Sequence, residues 1–455
     1  MRCETALSVL SFADPVKVIH TRVNRGVNRA RALAAKVAFK GHLLLMKILY
    51  VSQYYPPEIG APAARVSELS AHWIEAGHDV SVLTGFPNHP TGVVHRSYRA
   101  RFRRLFSREK VNGVDVVRTW LWPLPNRKPL ERIANYSSFA ISAFLRGLFL
   151  RSPDVIIGTS PQLLVALSAW AVARIKRRPI VFEVRDIWPD AILASGVSRP
   201  NSMLAKVLTG ISRFLHNHSD LIVVVTPAFK RELVERWDAD PDKIEVVQNG
   251  VELSLFDRNE PEEMDLGLEP GSFVVAYVGT LGLAHGLATV LDAASEMATT
   301  DPEITFVLAG AGAESELLRA RIDKGELANV RLLGELPRTE IPRLLRSTDV
   351  SLVLLKKAEI FETVIPTKML EFMAAARPIV LGVDGQARAI LDAAGAGIHI
   401  EPQNTAALIE AIRQLRNDPD LRVRLGGNGR RYAEQNLSRE STARLYIEIL
   451  ERMKK

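Results

Sequence analysis

Cysteine is almost absent from this chain: Cys3 is the only one among 455 residues. That excludes a disulfide framework and a cysteine-ligated metal site, and it fits a reducing cytosol. Long apolar runs are missing as well. A membrane-crossing helix needs ~20 consecutive apolar residues. The nearest stretches are 139–150, broken by Arg146, and 163–173, which runs into Arg174, Lys176, Arg177 and Arg178. Both read as core helices of an α/β domain. Acids are scarce at the start: residues 1–45 hold only Glu4 and Asp14 against Arg2, Lys17, Arg22, Arg25, Arg29, Arg31, Lys36 and Lys40. The apolar run 6–13 is short for a signal-peptide core, and Glu4 precedes it. Met46-Lys-Ile-Leu-Tyr-Val-Ser52 then reads like a protein start, a methionine and lysine leading into a buried strand. Either Met46 is the natural start or 1–45 is a basic arm, and mass spectrometry of the native N-terminus decides between them.

What is present is a globular composition, 47% hydrophobic and 24% charged, in a chain long enough for two or three domains. The net charge of +8 points to an anionic partner such as phosphate, nucleic acid or a membrane surface. From Met46 on, short apolar strands alternate with helices. Strands are expected at 47–52, 79–84, 114–119, 155–158, 180–184, 221–225 and 244–247. After a linker-like segment at 257–271 the pattern restarts, with strands at 273–278, 304–308, 330–333, 350–355, 378–381 and 397–400. Such alternation indicates parallel sheets covered on both faces. The division expected is a basic extension (1–45), a Rossmann-like domain (46–255), a second (256–430) and a C-terminal crossover helix (431–455). Two such halves put their strand C-terminal loops across a cleft, where open α/β sheets bind ligands.

The segment 361–382 carries the most chemistry. It reads as a loop, a helix N-capped by Thr367 with Pro366 just outside, and a strand. Glu371 falls in or near the first turn of a helix otherwise apolar nearly all round, so it must face something polar. Free backbone N–H groups at that helix end suit a phosphate, and a carboxylate one turn in can accept hydrogen bonds from sugar hydroxyls. Phosphate plus ribose is a nucleotide. The competing reading is an acid that complements the helix dipole.

Several spaced motifs agree with the nucleotide reading. They are Gln248-Asn-Gly-Val-Glu252, Tyr277-Val-Gly-Thr-Leu-Gly-Leu-Ala-His-Gly-Leu287, Leu308-Ala-Gly-Ala-Gly312, Asn329-Val-Arg-Leu-Leu-Gly334, Ser347-Thr-Asp-Val350 and Pro366-Thr-Lys with Glu371 and Pro378. In order and spacing they resemble the retaining GT-B glycosyltransferases of family 4. Glu183-Val-Arg-Asp-Ile-Trp-Pro-Asp190 looks like the subgroup that builds colanic acid, capsule and O-antigen sugars on a lipid carrier. The resemblance implies an α/β GT-B fold of two Rossmann-like domains, with a cleft between them and a C-terminal helix packing back across. It implies a donor site of Gly60, Gly279, Thr280, Gly282, His285, Gly310, Gly312, Glu362, Thr367, Lys368 and Glu371. Glu371 matches the ribose-binding acid of the family's paired-acid motif. The first acid would fall at Thr363, and Glu362 lies one position off. The family's usual Arg and Lys for the diphosphate are missing from the loop after 273–278, which offers Thr280 and His285 instead. Lys368, the 279–282 backbone and Gly60 are expected to compensate. At the reacting centre the resemblance implies Asp186, to orient or deprotonate an acceptor hydroxyl; Arg185 replaces the family's frequent His there and is expected to contact an acceptor diphosphate. An internal Arg185–Asp186 ion pair is the competing reading. Glu183 is read either as a polar cleft residue or as a structural acceptor, and Trp188-Pro189 as cleft wall.

The basic run 96–110, with Tyr98, Phe102, Leu105 and Phe106 interleaved, reads as an interfacial helix. Arg99, Phe102, Arg103 and Phe106 would meet an anionic membrane. Nucleic acid is set aside because no RNA-binding motif accompanies the run. The expectation is a metal-independent transferase without a cofactor, peripheral on the cytoplasmic face of the plasma membrane. It would move a sugar from a nucleotide-diphosphate donor, UDP before GDP, to a polyprenyl-diphosphate-linked saccharide. The rival readings are a nucleotide-sugar epimerase of the same architecture and a scaffold that has lost donor binding.

Overall fold

A computed structural model describes residues 45–58, 60–89, 91–125, 129–188, 202–257, 263–325 and 327–453. The first half runs β1 (Lys47–Val51), α1 (Ala61–Glu75), β2 (Asp79–Gly85), α2 (Arg99–Phe102), β3 (Phe106–Val111), β4 (Val114–Thr119), α3 (Pro129–Leu148) and β5 (Val155–Thr159). It continues with α4 (Leu163–Lys176), β6 (Ile180–Val184), α5 (Met203–His218), β7 (Leu221–Val224), α6 (Pro227–Trp237) and β8 (Ile244–Val246). The sheet order is β3-β4-β2-β1-β5-β6-β7-β8, parallel except for β3. All residues of β5 and β6 are buried, as expected of central strands covered by helices on both faces.

The second half holds β9 (Phe273–Val278), α7 (Ala288–Thr300), β10 (Ile304–Ala309), α8 (Ser315–Gly325), β11 (Val330–Gly334), α9 (Ile341–Arg346), β12 (Val350–Leu354) and α10 (Glu359–Glu362). Then come α11 (Thr367–Ala374), β13 (Ile379–Gly382), α12 (Gln386–Ala394), β14 (Gly397–His399), α13 (Thr405–Asn417), α14 (Pro419–Asn436) and α15 (Arg439–Arg452). This sheet is all parallel, in the order β11-β10-β9-β12-β13-β14. Strand order reverses between β1 and β5 in one sheet and between β9 and β12 in the other. At each switch point the loops part and leave a crevice.

Residues from Met46 to the C-terminus cluster as one unit. The crossover helix helps to hold it. Val251, in the turn after the first sheet, forms a parallel bridge with Ser438. From α15, the Ala443 carbonyl accepts Trp73 Nε1–H at 3.0 Å, and the Tyr446 ring meets Trp73 edge-on at 5.4 Å. The C-terminal helix therefore packs back onto the first half.

Two expectations are corrected. Thr367 is the first helical residue and Pro366 occupies the N-cap position, with no side-chain cap. The basic run 96–110 is not one helix. It forms a single 3-10 turn (Arg96–Tyr98), the four-residue α2, and then β3, with Leu105 at φ 63 breaking the helix. β3 pairs antiparallel with β4 through Asn112-Gly113, both at positive φ, as a two-residue hairpin turn requires. Its polar edge is what keeps such a strand from pairing with another chain. Phe102 packs edge-on against Phe86 at 5.3 Å, and Arg99 Nε donates to the Val94 carbonyl at 3.3 Å. Arg103 and Phe106 remain exposed.

Candidate functional site

The second-half crevice is built by backbones brought into unusually close approach. Gly279 and Gly310 both lie in the left-handed region, at φ 141 and 146. A Cβ on Gly310 would stand 1.8 Å from the Gly279 carbonyl oxygen, and one on Gly312 2.2 Å from that of Leu281. Those two glycines therefore let the loops after β9 and β10 lie against each other. Gly282 caps a short 3-10 turn that carries His285, and Thr280 is exposed at the loop's tip.

Lys368 enters this loop from the first turn of α11. Its Nζ lies 3.8 Å from the Tyr277 ring centroid, donates to the Tyr277 hydroxyl at 2.5 Å, and sits 3.0 Å from where a Gly279 Cβ would be. The structure thus brings together Lys368 and Gly279, two residues 89 positions apart that were both expected to serve the diphosphate. Burial pulls the Lys368 amine down to about 7, partly offset by Glu371. Burial and the neighbouring Lys368 charge pull His285 down to about 3, so its imidazole is neutral. His285 lies 6.0 Å from Tyr277, ring to ring, with a buried Nδ1 that has no partner among the described residues. It supplies no cation, and the cation seated against Gly279 is the lysine's.

Glu371, a turn further along α11, is raised by burial. Arg338 Nη1 reaches its carboxylate at 3.3 Å, and the other arm of Arg338 bonds Glu68 of α1. Glu68 in turn accepts from Arg439 Nε of α15 at 2.8 Å. One chain of charges thus links the expected ribose acid to the other half and to the crossover helix. The sequence reading missed Arg338, Glu68 and Arg439. Arg338 stands just past the Asn329–Gly334 motif, in a loop where position alone does not fix a side chain's direction. The loop before α11 also touches the first half, since the Thr363 carbonyl accepts the Thr226 hydroxyl at 3.0 Å. Glu362 is exposed, and its carbonyl packs so tightly on Gly385 that a Cβ there would come within 2.1 Å. Gly60, at φ 136, heads α1 with no side-chain cap, leaving that helix's first N–H groups to other partners.

On the first-half side Glu183 is structural. Fully buried, it accepts from the Tyr50 hydroxyl at 2.5 Å, Thr159 Oγ1 at 2.8 Å and Arg65 Nε at 3.0 Å. Arg65 also donates to Asn249 Oδ1 at 2.9 Å and to the Val247 carbonyl at 3.1 Å, so it clamps the turn that joins the halves. Arg185 and Asp186 follow β6, with both backbone N–H groups bonded to Ser160 Oγ at 2.7 and 3.3 Å. No direct ion pair joins their side chains, although each charge acts on the other. Arg185 Nε and Nη1 are buried without partners among the described residues, and burial lowers its pKa. Burial raises Asp186 to about 6, opposed by Arg185. Trp188 packs half-buried on the first-half core, and Pro189 lies outside the described residues.

Among the described residues no group of three or more His, Cys, Asp or Glu could hold a metal ion. The closely spaced Asp238, Asp240 and Asp242 do local work instead. Asp238 ends α6 in the left-handed conformation, and Asp240 caps a 3-10 turn by accepting from the Asp242 N–H. No described helix is long and apolar enough to cross a membrane.

Two parallel-sheet halves joined at a clamped turn, with a glycine-lined crevice at one switch point and a crossover helix, define a GT-B glycosyltransferase. Residues 60–250 match the family described as "Glycosyl transferase 4-like domain", and residues 259–432 match "Glycosyl transferases group 1". The chain belongs to glycosyltransferase family 4. It is 26% identical over 418 residues to WcaI of Escherichia coli K12, a candidate colanic acid biosynthesis glycosyl transferase, covering 88% of this chain and 99% of that protein. It is 27% identical over 391 residues to glycogen synthase of Mycobacterium tuberculosis, covering 82% and 87%. The fold superposes on HepE of Anabaena, solved with UDP and glucose, at a TM-score of 0.65 with 16% identity, covering 89% and 99%.

Proposed function

We propose that this chain is a retaining, metal-independent glycosyltransferase of cell-surface polysaccharide assembly. It moves a hexosyl or acetamidohexosyl group from a UDP-sugar to a hydroxyl of a polyprenyl-diphosphate-linked saccharide. It works at the anionic cytoplasmic face of the membrane. The observation that carries the donor side is the Lys368 amine seated on Tyr277 against Gly279, one turn from Glu371. In this reading Glu371 takes the ribose hydroxyls, released from Arg338, while Lys368 and the N–H groups of the 279–282 loop hold the diphosphate. Gly60, at the head of α1, approaches it from the other half, and Glu362 serves the donor sugar. A diphosphate raises the amine back above neutral pH, so the pocket charges as it fills. Asp186 orients or deprotonates the acceptor hydroxyl, and Arg185 meets the acceptor's diphosphate. Rate acceleration comes from positioning and from stabilisation of the leaving diphosphate. The likeness to WcaI supports the polysaccharide role, and the likeness to HepE with UDP supports the base.

Thermal unfolding with UDP and with GDP, on the wild type and on Glu371→Ala, tests the donor site. A ligand at ~100 times its Kd adds about 2.7 kcal/mol. A UDP shift weakened by the mutation is expected, and no shift with either nucleotide overturns the reading. Product analysis with donor alone separates transfer from epimerisation.

A further inference from the structure

The outer side of α3 carries an apolar stripe that no described element covers. Leu130 and Ile133 in its first turns, and Ile141, Leu145 and Phe149 at and just past its C-terminal end, lie on that side with Ser137 between them, and all five are exposed, Leu130 by 79% and Phe149 by 81%. The opposite face already has a core: Phe139 and Ala143 are buried with Leu83, Val117 and Val172. The stripe is therefore not the helix's packing face. At about 1.5 Å per residue it extends ~30 Å, longer than the isolated apolar spots that soluble surfaces normally leave.

Charge identifies what covers it. Between Glu131 and Asp154 the chain has no acid, but it has Arg132, Arg146 and Arg151. Arg146 lies over the Phe106 ring at 4.1 Å. That contact joins the stripe to exposed Leu105 and Phe106 and to exposed Arg103 and Arg104 on the neighbouring turn. The face is an apolar strip beside a basic rim. A second copy of this chain on a twofold axis would set one basic rim against another. A bilayer bearing anionic headgroups meets both parts at once. Position agrees: near the N-terminal end of α3, Asn135 accepts from Gln53 at 2.5 Å and donates to Asn88 at 3.3 Å, in the loops after β1 and β2.

We propose that α3 lies in the plane of an anionic bilayer, its stripe in the headgroup–acyl boundary and the 103–106 turn beside it, with the first-half crevice at the membrane surface. This rests on the reading of a lipid-linked acceptor and names the surface that serves it. It replaces the helix expected at 96–110 with a different helix, leaving that run as the basic rim.

The test is flotation of the full chain with vesicles of phosphatidylglycerol and phosphatidylcholine, and with phosphatidylcholine alone. The wild type is compared with I141S/L145S/F149S and with R103S/R104S. All five positions are exposed, so unfolding midpoints should stay unchanged. The apolar variant is expected to lose at least about tenfold in partitioning. The basic variant is expected to lose binding chiefly to the anionic vesicles. UDP-induced thermal stabilisation, kept in both variants, reports on the donor site separately. Equal flotation of the wild type and the apolar variant overturns the docking face and leaves the membrane reading standing. A wild type that does not float overturns both. A dimer in light scattering that the apolar variant dissolves gives the stripe to a second copy and overturns the proposal.

Discussion

The loops beyond the two sheets' switch points handle charge in opposite ways. Around β1, β5 and β6 a carboxylate and a guanidinium are fully buried, Glu183 and Arg65, bonded to each other and to Tyr50, Thr159, Asn249 and the Val247 carbonyl. Around β9 and β12 the backbone closes on itself through glycines and seats Lys368 against Gly279, its partners a phenol ring and that ring's hydroxyl. The first arrangement is complete without a ligand. The second is not, since an amine drawn down to about 7 gains from any anion that reaches it. Beside the completed network sit Arg185 and Asp186, unpaired with each other. In the proposed function the chemistry falls to buried charges that lack a charged partner, and the Glu183–Arg65 pair keeps a structural role.

That contrast can be broken from either side. The largest effect is expected at Asp186→Asn, which should lower kcat on the order of 10²–10⁴-fold while leaving UDP affinity unchanged. A normal kcat would return Asp186 to a structural role. Glu183→Leu should cost about 3–5 kcal/mol in urea unfolding, because Arg65 is left buried and unpaired. Lys368→Met should weaken UDP by roughly tenfold to a hundredfold, the value of about 1.5–3 kcal/mol for a charge-assisted hydrogen bond. The same change should not destabilise the unliganded protein. The sign follows from linkage. The folded pKa of about 7 lies below the ordinary 10.5, so between those values the unfolded chain binds the extra proton. Unliganded stability therefore gains with rising pH across that window, and Lys368→Met should remove the gain. The smallest effect is at Arg338→Ala. Its ion pairs are partly exposed and are worth about 1 kcal/mol or less to stability. UDP affinity should rise slightly as Glu371 is freed, and titration calorimetry reads the direction.

Strand periods and motif order make the two sheets legible in the sequence. The apolar runs at β5, β9 and β10 are each buried throughout, and the glycine motifs fall where loops cross. β3 was not legible as a strand, since it is a polar edge with alternating half-exposure and its charged residues mimic a basic helix. The signal that identifies it, Asn112-Gly113, lies just outside the run that drew attention. Lys368 and Gly279 were each named from motifs, but their contact depends on how α11 enters the sheet. Arg338 escaped because a loop side chain's direction is set by tertiary partners on α1 and α11, which local pattern does not encode. The apolar stripe of α3 reads as core in the sequence because the helix's exposed and buried faces are both apolar.

The central claim of the proposed function is that a single lysine at the head of α11, Lys368, does the work of the family's usual Arg and Lys pair. UDP titration of the wild type and Lys368→Met from pH 6 to 9 tests it most directly. The account predicts wild-type affinity that falls by up to about tenfold per pH unit above 7, with proton uptake on binding, and a weak, pH-independent variant. Equal, pH-independent affinity of the two proteins would contradict it.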